Sequence, residues 1–337
     1  MTAMKHQESQ VRQESRVIEW LLDPEQPSSR YHTLTGLLDR RENGADVKEA
    51  KAQIPEKGWA REILATQAPD ARWSWEARKS LYVPKYTSTI WNLIRLADLG
   101  MTAEDQRVRK TCELFLEQYS RPDGGFDTPN SDWKRSELCI TGNLARTLVC
   151  CGYADDARVK SALNWLVKTQ MDDGGWHCFY EQAFGRGTLD CWEGLSAFAA
   201  IPKSRWTRSV KRSVERGAEF YLRKGLFREG KKRYVPWFRF HYPVHYYYDI
   251  LVGLDVITKL GYGGDKRLDP ALEIMMGKRK RGGTWVLDAV HPDLGAGAGY
   301  RMSKKRVTPF ALESKGKPSK WITLTCLQVL KRVEEAR

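Results

Sequence analysis

A short phrase recurs along this chain with a period of about 50 residues. Its copies are ATQAPDARW ending at Trp73, EQYSRPDGGF ending at Phe126, KTQMDDGGW ending at Trp176 and KRKRGGTW ending at Trp285. The aromatic positions are separated by 53, 50 and 109 residues, the last being about two repeat lengths. A fixed period of this length is typical of chains built from repeated supersecondary units that pack on their neighbours.

Each copy of the phrase follows an amphipathic helix and precedes a more uniformly apolar one. The helix before Trp176 carries one apolar stripe at helical spacing, made of Val159, Ala162, Leu163, Leu166 and Val167. Glycines in the phrase end that helix, because glycine readily adopts positive φ. Buried inner helices are predicted at residues 28–39, 84–99, 135–151, 188–201, 243–260 and 319–333.

About six such helical hairpins could stack as an open solenoid or close into a ring. An open stack needs polar capping repeats at both ends, and the last inner helix, TLTCLQVL, is not polar. The sequence therefore predicts an all-α fold, an α/α toroid with inner and outer helix rings. We expect this single domain at 28–337, preceded at 1–27 by a polar segment and a first helix.

The phrase KTQMDDGGW also carries a family resemblance, through Gln170, Asp173, Gly174, Gly175 and Trp176. It resembles the QW repeat of squalene and oxidosqualene cyclases and the same turn in the β subunits of protein prenyltransferases. The resemblance covers roughly residues 57–333, and it extends to stand-alone, single-toroid squalene cyclase-like proteins of prokaryotes. It implies a terpenoid cyclase or prenyltransferase-like toroid that binds or transforms an isoprenoid or other elongated apolar substrate in a central cavity.

The sequence departs from the cyclases at their catalytic motifs. It contains no Asp-x-Asp-Asp acid, no Asp-Cys-Thr-Ala-Glu acid and no Asp-Asp-x-x-Asp for magnesium diphosphate. Its 337 residues offer one toroid where those cyclases have two. These differences disfavour a triterpene cyclase that starts its reaction by protonation.

A partial match to the prenyltransferase zinc site suggests a metal. Those enzymes hold zinc with Asp, Cys and His at the starts of inner helices. Here Asp190 and Cys191 lie near the start of one predicted inner helix and His245 near the start of the next. Asp190 and Cys191 are adjacent, whereas the family separates them by one residue. Zinc is therefore one hypothesis; a helix-start carboxylate and a small core thiol are the other.

A metal-free site is also predicted from these helices. His245 and Asp249 are four residues apart and Asp190 and Glu193 three apart, so each pair would share a helix face. A histidine–carboxylate pair in an apolar cavity could act as general acid or base. The alternative is a buried pair that only rigidifies the helix.

Aromatic and basic residues complete the predicted site. Aromatic rings could pack on an isoprenoid chain or simply fill space between helices. The predicted substrate-binding aromatics are Trp237, Phe240, Tyr246, Tyr247 and Tyr248. The loop 291–306 is glycine-rich and then basic, and Arg301 in it could bind a phosphorylated head group or belong to a plain linker.

A net charge of +14 leaves a second function open. The basic residues could form a solvated helix face, or a non-catalytic toroid could use them to bind a protein partner, an anionic membrane surface or nucleic acid. No nucleic-acid-binding motif supports the last partner. The polar N-terminus, the lack of a long apolar run and the odd number of cysteines, seven, favour a cytoplasmic protein with reduced thiols.

Overall fold

The computed structural model describes residues 13, 15–73, 81–82, 86–128, 135–179, 184–230, 233–245, 247–290 and 311–337. Within these ranges the chain is helical and contains isolated β-bridges but no strand. The inner helices are α1 (Pro27–Gly36), α4 (Thr89–Asp98), α6 (Leu138–Leu148), α8 (Glu193–Ala199), α10 (Ile250–Lys259) and α12 (Lys320–Ala336). The outer helices are α2 (Ala45–Gln53), α3 (Gly58–Leu64), α5 (Gln106–Gln118), α7 (Ala157–Lys168), α9 (Arg208–Arg223) and α11 (Asp269–Gly277).

Burial separates the two kinds of helix as the sequence predicts. In inner helix α4 every residue from Thr89 to Ala97 is buried. Outer helix α7 buries one stripe, which comprises Val159, Ala162, Leu163, Trp165 and Leu166. An amphipathic outer helix can cover the inner ring on one face and meet water on the other.

The helices close into a ring, so the fold is the predicted α/α toroid. Each inner helix from α4 to α12 packs against the next, and α12 packs against α1. Gln328 Nε2 donates to the carbonyl of His32 at 3.2 Å, and Lys331 Nζ to that of Leu37 at 3.1 Å. A helical segment at 15–21 packs Val17 and Leu21 against Leu324 of α12. The two ends of the described chain therefore meet.

The repeated phrase fastens each outer helix to the next inner helix. The indole Nε1 of three repeat tryptophans donates to the carbonyl ten residues earlier, near the end of the preceding outer helix. These bonds join Trp73 to Ile63 at 2.8 Å, Trp176 to Leu166 at 2.9 Å and Trp285 to Met275 at 2.7 Å. The backbone N–H of Trp73, Phe126 and Trp285 donates to a threonine hydroxyl near the start of the next inner helix, namely Thr89, Thr141 and Thr323.

Three predicted inner helices begin five or more residues later than expected. The one predicted at 84–99 is Thr89–Asp98. The one predicted at 243–260 is Ile250–Lys259, and the one predicted at 188–201 is Glu193–Ala199. Asp249 is the N-cap of α10 and accepts a hydrogen bond from the backbone N–H of Val252, so the residues before it are not helical. Within the described ranges no helix is both long enough and apolar enough to cross a membrane.

Candidate active site

The inner helices surround a central cavity of about 330 Å³. Its volume lies at the lower end of the roughly 300–1,000 Å³ that ligand pockets occupy. Trp192 and Trp321 contribute aromatic surface to its wall, and Val244, Leu251 and Val252 contribute aliphatic surface. Such a wall can exclude water around an apolar ligand.

A histidine–aspartate pair lies in this wall. His241 Nδ1 is 2.7 Å from Asp249 Oδ2, and the two side chains are 0% and 1% exposed. The same oxygen accepts the backbone N–H of His241 at 3.0 Å, while Oδ1 accepts that of Val252 at 2.9 Å. A carboxylate can only accept, so the Nδ1 of His241 carries a proton and donates it to Asp249. Nε2 lies 3.4 Å from the carbonyl oxygen of Val244 in the cavity wall, and it is the ring atom that can exchange a proton with a ligand.

Ion pairs stand at the other end of the cavity, where the inner helices finish. Asp98 Oδ1 lies 2.5 Å from an Nη atom of Arg146. Asp255 lies 2.6 Å from Lys259 Nζ and 2.7 Å from Arg332. Burial alone would raise the pKa of Asp255, but the two cations hold it below its ordinary value. This end of the cavity is therefore polar and charged.

His32 connects that charged end to the aromatic wall. Its Nε2 is 2.9 Å from the carbonyl oxygen of Asp98, and its ring meets Trp321 edge-on at 5.6 Å between centroids. Burial lowers the pKa of His32 to about 4. The imidazole is therefore neutral at physiological pH, and Nε2 carries the proton that it donates to Asp98.

We expect His32 to make the protein acid-sensitive. Its pKa is lower in the folded state, so between pH 6.5 and 4 the unfolded chain binds a proton that the folded chain does not. The stability that His32 contributes is present above pH 6.5 and is lost as the pH falls, by up to about 3 kcal/mol. Urea unfolding of wild type and His32→Gln at pH 7.5 and pH 4.5 measures this loss. The variant should lose clearly less stability between the two values, and the control His177→Gln should follow wild type.

The structure separates the three residues proposed to bind zinc. Asp190 Oδ1 accepts a hydrogen bond from Trp237 Nε1 at 2.7 Å, and the Sγ of Cys191 lies 3.6 Å from that of Cys178. His245 is buried with its ring against Tyr86 and Trp91, at 4.9 and 5.6 Å between centroids. In the described part of the chain no three His, Cys, Asp or Glu side chains are placed to hold a metal ion. These residues therefore do not fit the predicted zinc site.

Both predicted acid–base pairs need correction. His245 and Asp249 do not share a helix face, because α10 begins after both and the partner of Asp249 is His241. Asp190 and Glu193 do not share one either, because Asp190 is exposed in the turn before α8 whereas Glu193 is buried at its first position. Of these four residues, Asp249 is the one that lines the central cavity.

The predicted aromatic residues lie mostly in the packing around the site. Trp237, Phe240 and Tyr248 are buried, and the Tyr248 hydroxyl donates to the carbonyl of Leu226 at 2.7 Å. The Tyr247 ring stands edge-on to His241 at 6.4 Å between centroids, which places it beside the pair. Tyr246, Arg301 and the loop 291–306 lie outside the described residues.

Sequence reasoning missed His241, Trp192 and Trp321. A signal for the first was present: Asp249 directly precedes the apolar run ILVGLDVI, which is typical of an N-cap. If Asp249 is an N-cap, His245 lies before the helix and cannot share a helix face with it. A partner for Asp249 is then expected in the loop that precedes the helix. Trp192 directly precedes α8 and Trp321 lies on α12, and closure of the ring places both in the wall of one cavity.

The fold and the cavity define an α/α toroid with a buried polar pair in its central wall. The type B diterpene cyclase of Mycobacterium tuberculosis is 29% identical to this chain over 113 residues, which are 34% of this chain and 21% of that protein. The match thus spans about one fifth of the relative's length. It confirms the resemblance to the terpenoid cyclase superfamily that the repeat predicts. No family model matches the chain.

Solved structures similar to this chain include type II terpene cyclases. A variant of MstE from Scytonema in complex with merosterolic acid A has a TM-score of 0.47 and 15% identity, over 93% of this chain and 88% of that one. A protein from Actinoplanes has a TM-score of 0.44 and 15% identity, over 92% and 90% of the two chains.

Proposed function

We propose that the central cavity binds an elongated apolar ligand of the isoprenoid type and that His241 moves a proton to or from it. The observation that carries this proposal is the buried His241–Asp249 pair in the wall of an aromatic and aliphatic cavity. Perturbed or paired ionisable groups in a concave apolar site are the usual mark of an active site.

The layout of the cavity supports a long ligand with one polar end. Asp249 lies at the start of α10 and Lys259 at its end, and both line the cavity. Ten residues of α-helix span about 15 Å. A chain of isoprene units would lie along the apolar wall between them, with a hydroxyl or other polar head at the ion pairs of Asp98 and Asp255.

The imidazole is suited to some proton transfers and not to others. An imidazolium is a weak acid, so it would not protonate an isolated double bond, and the sequence has no Asp-x-Asp-Asp motif to do so. Neutral His241 can accept a proton through Nε2 while Asp249 stabilises the resulting imidazolium. The proposed reaction class is therefore proton abstraction from an isoprenoid substrate, as in an isomerisation or an elimination.

Binding is tested by titrating the protein with farnesol, farnesyl diphosphate and dodecanol while recording tryptophan fluorescence. Trp192 and Trp321 in the wall should report a saturable signal for the isoprenoids. Ala200→Trp, which places an indole in the cavity wall, should weaken binding at least ten-fold. Ala157→Trp, on the exposed start of α7, is the matched control and should bind as wild type. If Ala200→Trp binds the isoprenoids as tightly as the wild type does, the ligand does not occupy this cavity.

Proton transfer is tested by incubating the protein with each bound isoprenoid in deuterium oxide. Exchange or rearrangement should introduce deuterium, which mass spectrometry detects. His241→Asn should slow this reaction by about 10²–10⁴-fold, the usual contribution of a general base. If the wild type binds the ligand but incorporates no deuterium, the protein binds isoprenoids without moving a proton. The catalytic part of the proposal is then wrong.

The basic outer surface offers less support for a scaffold function. On outer helix α9, Arg216 donates to the carbonyl of Met171 at 2.6 Å and Arg223 to that of Asp173 at 2.9 Å. These arginines therefore hold the repeat turn in place. The cavity is the better-supported site.

A further inference from the structure

Three cysteines meet where inner helices α6 and α8 begin. The Sγ atoms of Cys178 and Cys191 are 3.6 Å apart, and Cys139 is the second residue of α6. Cys191 is buried, whereas Cys139 and Cys178 are half-buried. This group of thiols takes no part in the proposed cavity chemistry.

Of these three thiols, Cys178 has the lowest pKa. The neighbouring thiols of Cys139 and Cys191 hold the pKa of Cys178 well below its usual range. The proximity of Cys178, together with burial, raises the pKa values of Cys139 and Cys191 well above theirs. The thiolate is the nucleophilic form of cysteine, so the lowered pKa favours Cys178 as the nucleophile of the three.

Glu193 does not add a second negative charge beside Cys178. Its side chain is buried, and burial raises its pKa well above the usual value, with the charge of Cys178 adding to the effect. The close approach of α6 keeps it there, because a Cβ at Gly142 would lie 2.6 Å from the Cβ of Glu193. A protonated Glu193 does not compete with Cys178 for negative charge.

From the 3.6 Å separation of the two sulfurs and the greater exposure of Cys178, we propose that Cys178 reacts with peroxide and that Cys191 is its resolving thiol. The Cys178 sulfur attacks one oxygen of a hydroperoxide, the O–O bond breaks, and sulfenic acid and hydroxide (or alkoxide) result. The Cys191 sulfur then attacks the sulfenic sulfur, the S–O bond breaks, and water leaves with the thiol proton. The peroxide is reduced by two electrons, and the two cysteines are oxidised to one disulfide.

The geometry requires only a local movement. The two sulfurs must approach from 3.6 Å to about 2.05 Å, and both residues lie outside the helices. Cys191 directly precedes Trp192, which lines the central cavity. If the proposed function holds, disulfide formation would also shift the cavity wall and change ligand affinity.

The experiment needs no ligand, so its outcome is independent of the proposed function. Reduced full-length protein is treated with equimolar hydrogen peroxide, the remaining thiols are alkylated, and the peptides are mapped by mass spectrometry. We expect two of the seven thiols to be lost and a Cys178–Cys191 disulfide to form. Cys150 is the internal comparator: its residue is exposed, but desolvation raises the pKa of its thiol to about 11. It should oxidise at least ten-fold more slowly.

Variants distinguish the two roles. Cys191→Ser should accumulate a Cys178 sulfenic acid that dimedone traps, whereas Cys178→Ser should form neither the adduct nor the disulfide. Cys326→Ser, at a buried cysteine on α12, is the control and should behave as wild type. Oxidation of Cys150 before Cys178, or a disulfide from Cys178 to Cys139, would overturn the assignment; mapping of the wild type decides this even if a variant fails to fold.

Discussion

Replacing Trp176 with alanine is expected to lower the free energy of unfolding by about 3–5 kcal/mol. The indole is fully buried, and its Nε1 donates to the carbonyl of Leu166 at the end of outer helix α7. Alanine would leave a cavity and an unsatisfied carbonyl at the junction between the two rings. Urea unfolding measures the change. Trp206→Ala is the control, because Trp206 is half-buried, and its loss should be clearly smaller.

A double-mutant cycle tests whether the lack of a side chain at Gly194 makes room for the indole of Trp176. A Cβ at Gly194 would lie 2.9–3.2 Å from three ring atoms of Trp176. Gly194→Ala alone should therefore destabilise the protein by about 1–3 kcal/mol through overpacking. Combined with Trp176→Ala, the added methyl group enters the vacated space, so the double variant should lose less than the sum of the two. Additive losses would contradict the proposed fit of indole against glycine.

The fold was predictable because its determinants repeat. Trp73, Trp176 and Trp285 each perform the same task, and a pattern that occurs several times at one period is visible without a structure. The distinction between inner and outer helices was predictable for the same reason, since burial on one face or on several leaves different apolar patterns. Ring closure followed from the absence of a polar cap on the last helix.

The site was less predictable because its residues do not repeat and do not lie on one regular element. His241 reaches Asp249 across eight residues of irregular backbone, where helical spacing has no meaning. His245, the expected partner, has a φ of 54° and turns into an aromatic cluster with Tyr86. Helical periodicity extended to residues 243–249 therefore paired Asp249 with His245, whereas its partner in the structure is His241.

The charged end of the cavity was missed for a different reason. Asp98 and Arg146 are 48 residues apart and come from different inner helices. Asp255 and Arg332 are similarly remote, at 77 residues. Such pairs depend on the radius and register of the ring, which a single sequence does not encode in any local pattern.

Replacing Asp249 with asparagine is expected to cost about 3 kcal/mol and to change the protonation of His241. The carboxylate accepts from Val252 N, His241 N and His241 Nδ1. An asparagine can still accept from Val252, but its amide N–H groups then face the two donors of His241. The imidazole can relieve its conflict by moving its proton from Nδ1 to Nε2. The backbone N–H of His241 cannot lose its proton, so its conflict with the amide remains. The nitrogen resonances of His241 in NMR report this tautomer directly.

Two further substitutions separate the helix cap from the histidine partner. Asp249→Ser keeps a hydroxyl that can accept from Val252 and loses the bond to His241, whereas Asp249→Ala loses both. Alanine should therefore be less stable than serine by about 1 kcal/mol. All three variants should abolish proton transfer from a bound isoprenoid, because Nε2 either already carries the proton or lacks a carboxylate to stabilise the imidazolium. A serine variant as reactive as wild type, with the helix intact, would show that Asp249 only caps α10 and that His241 needs no partner.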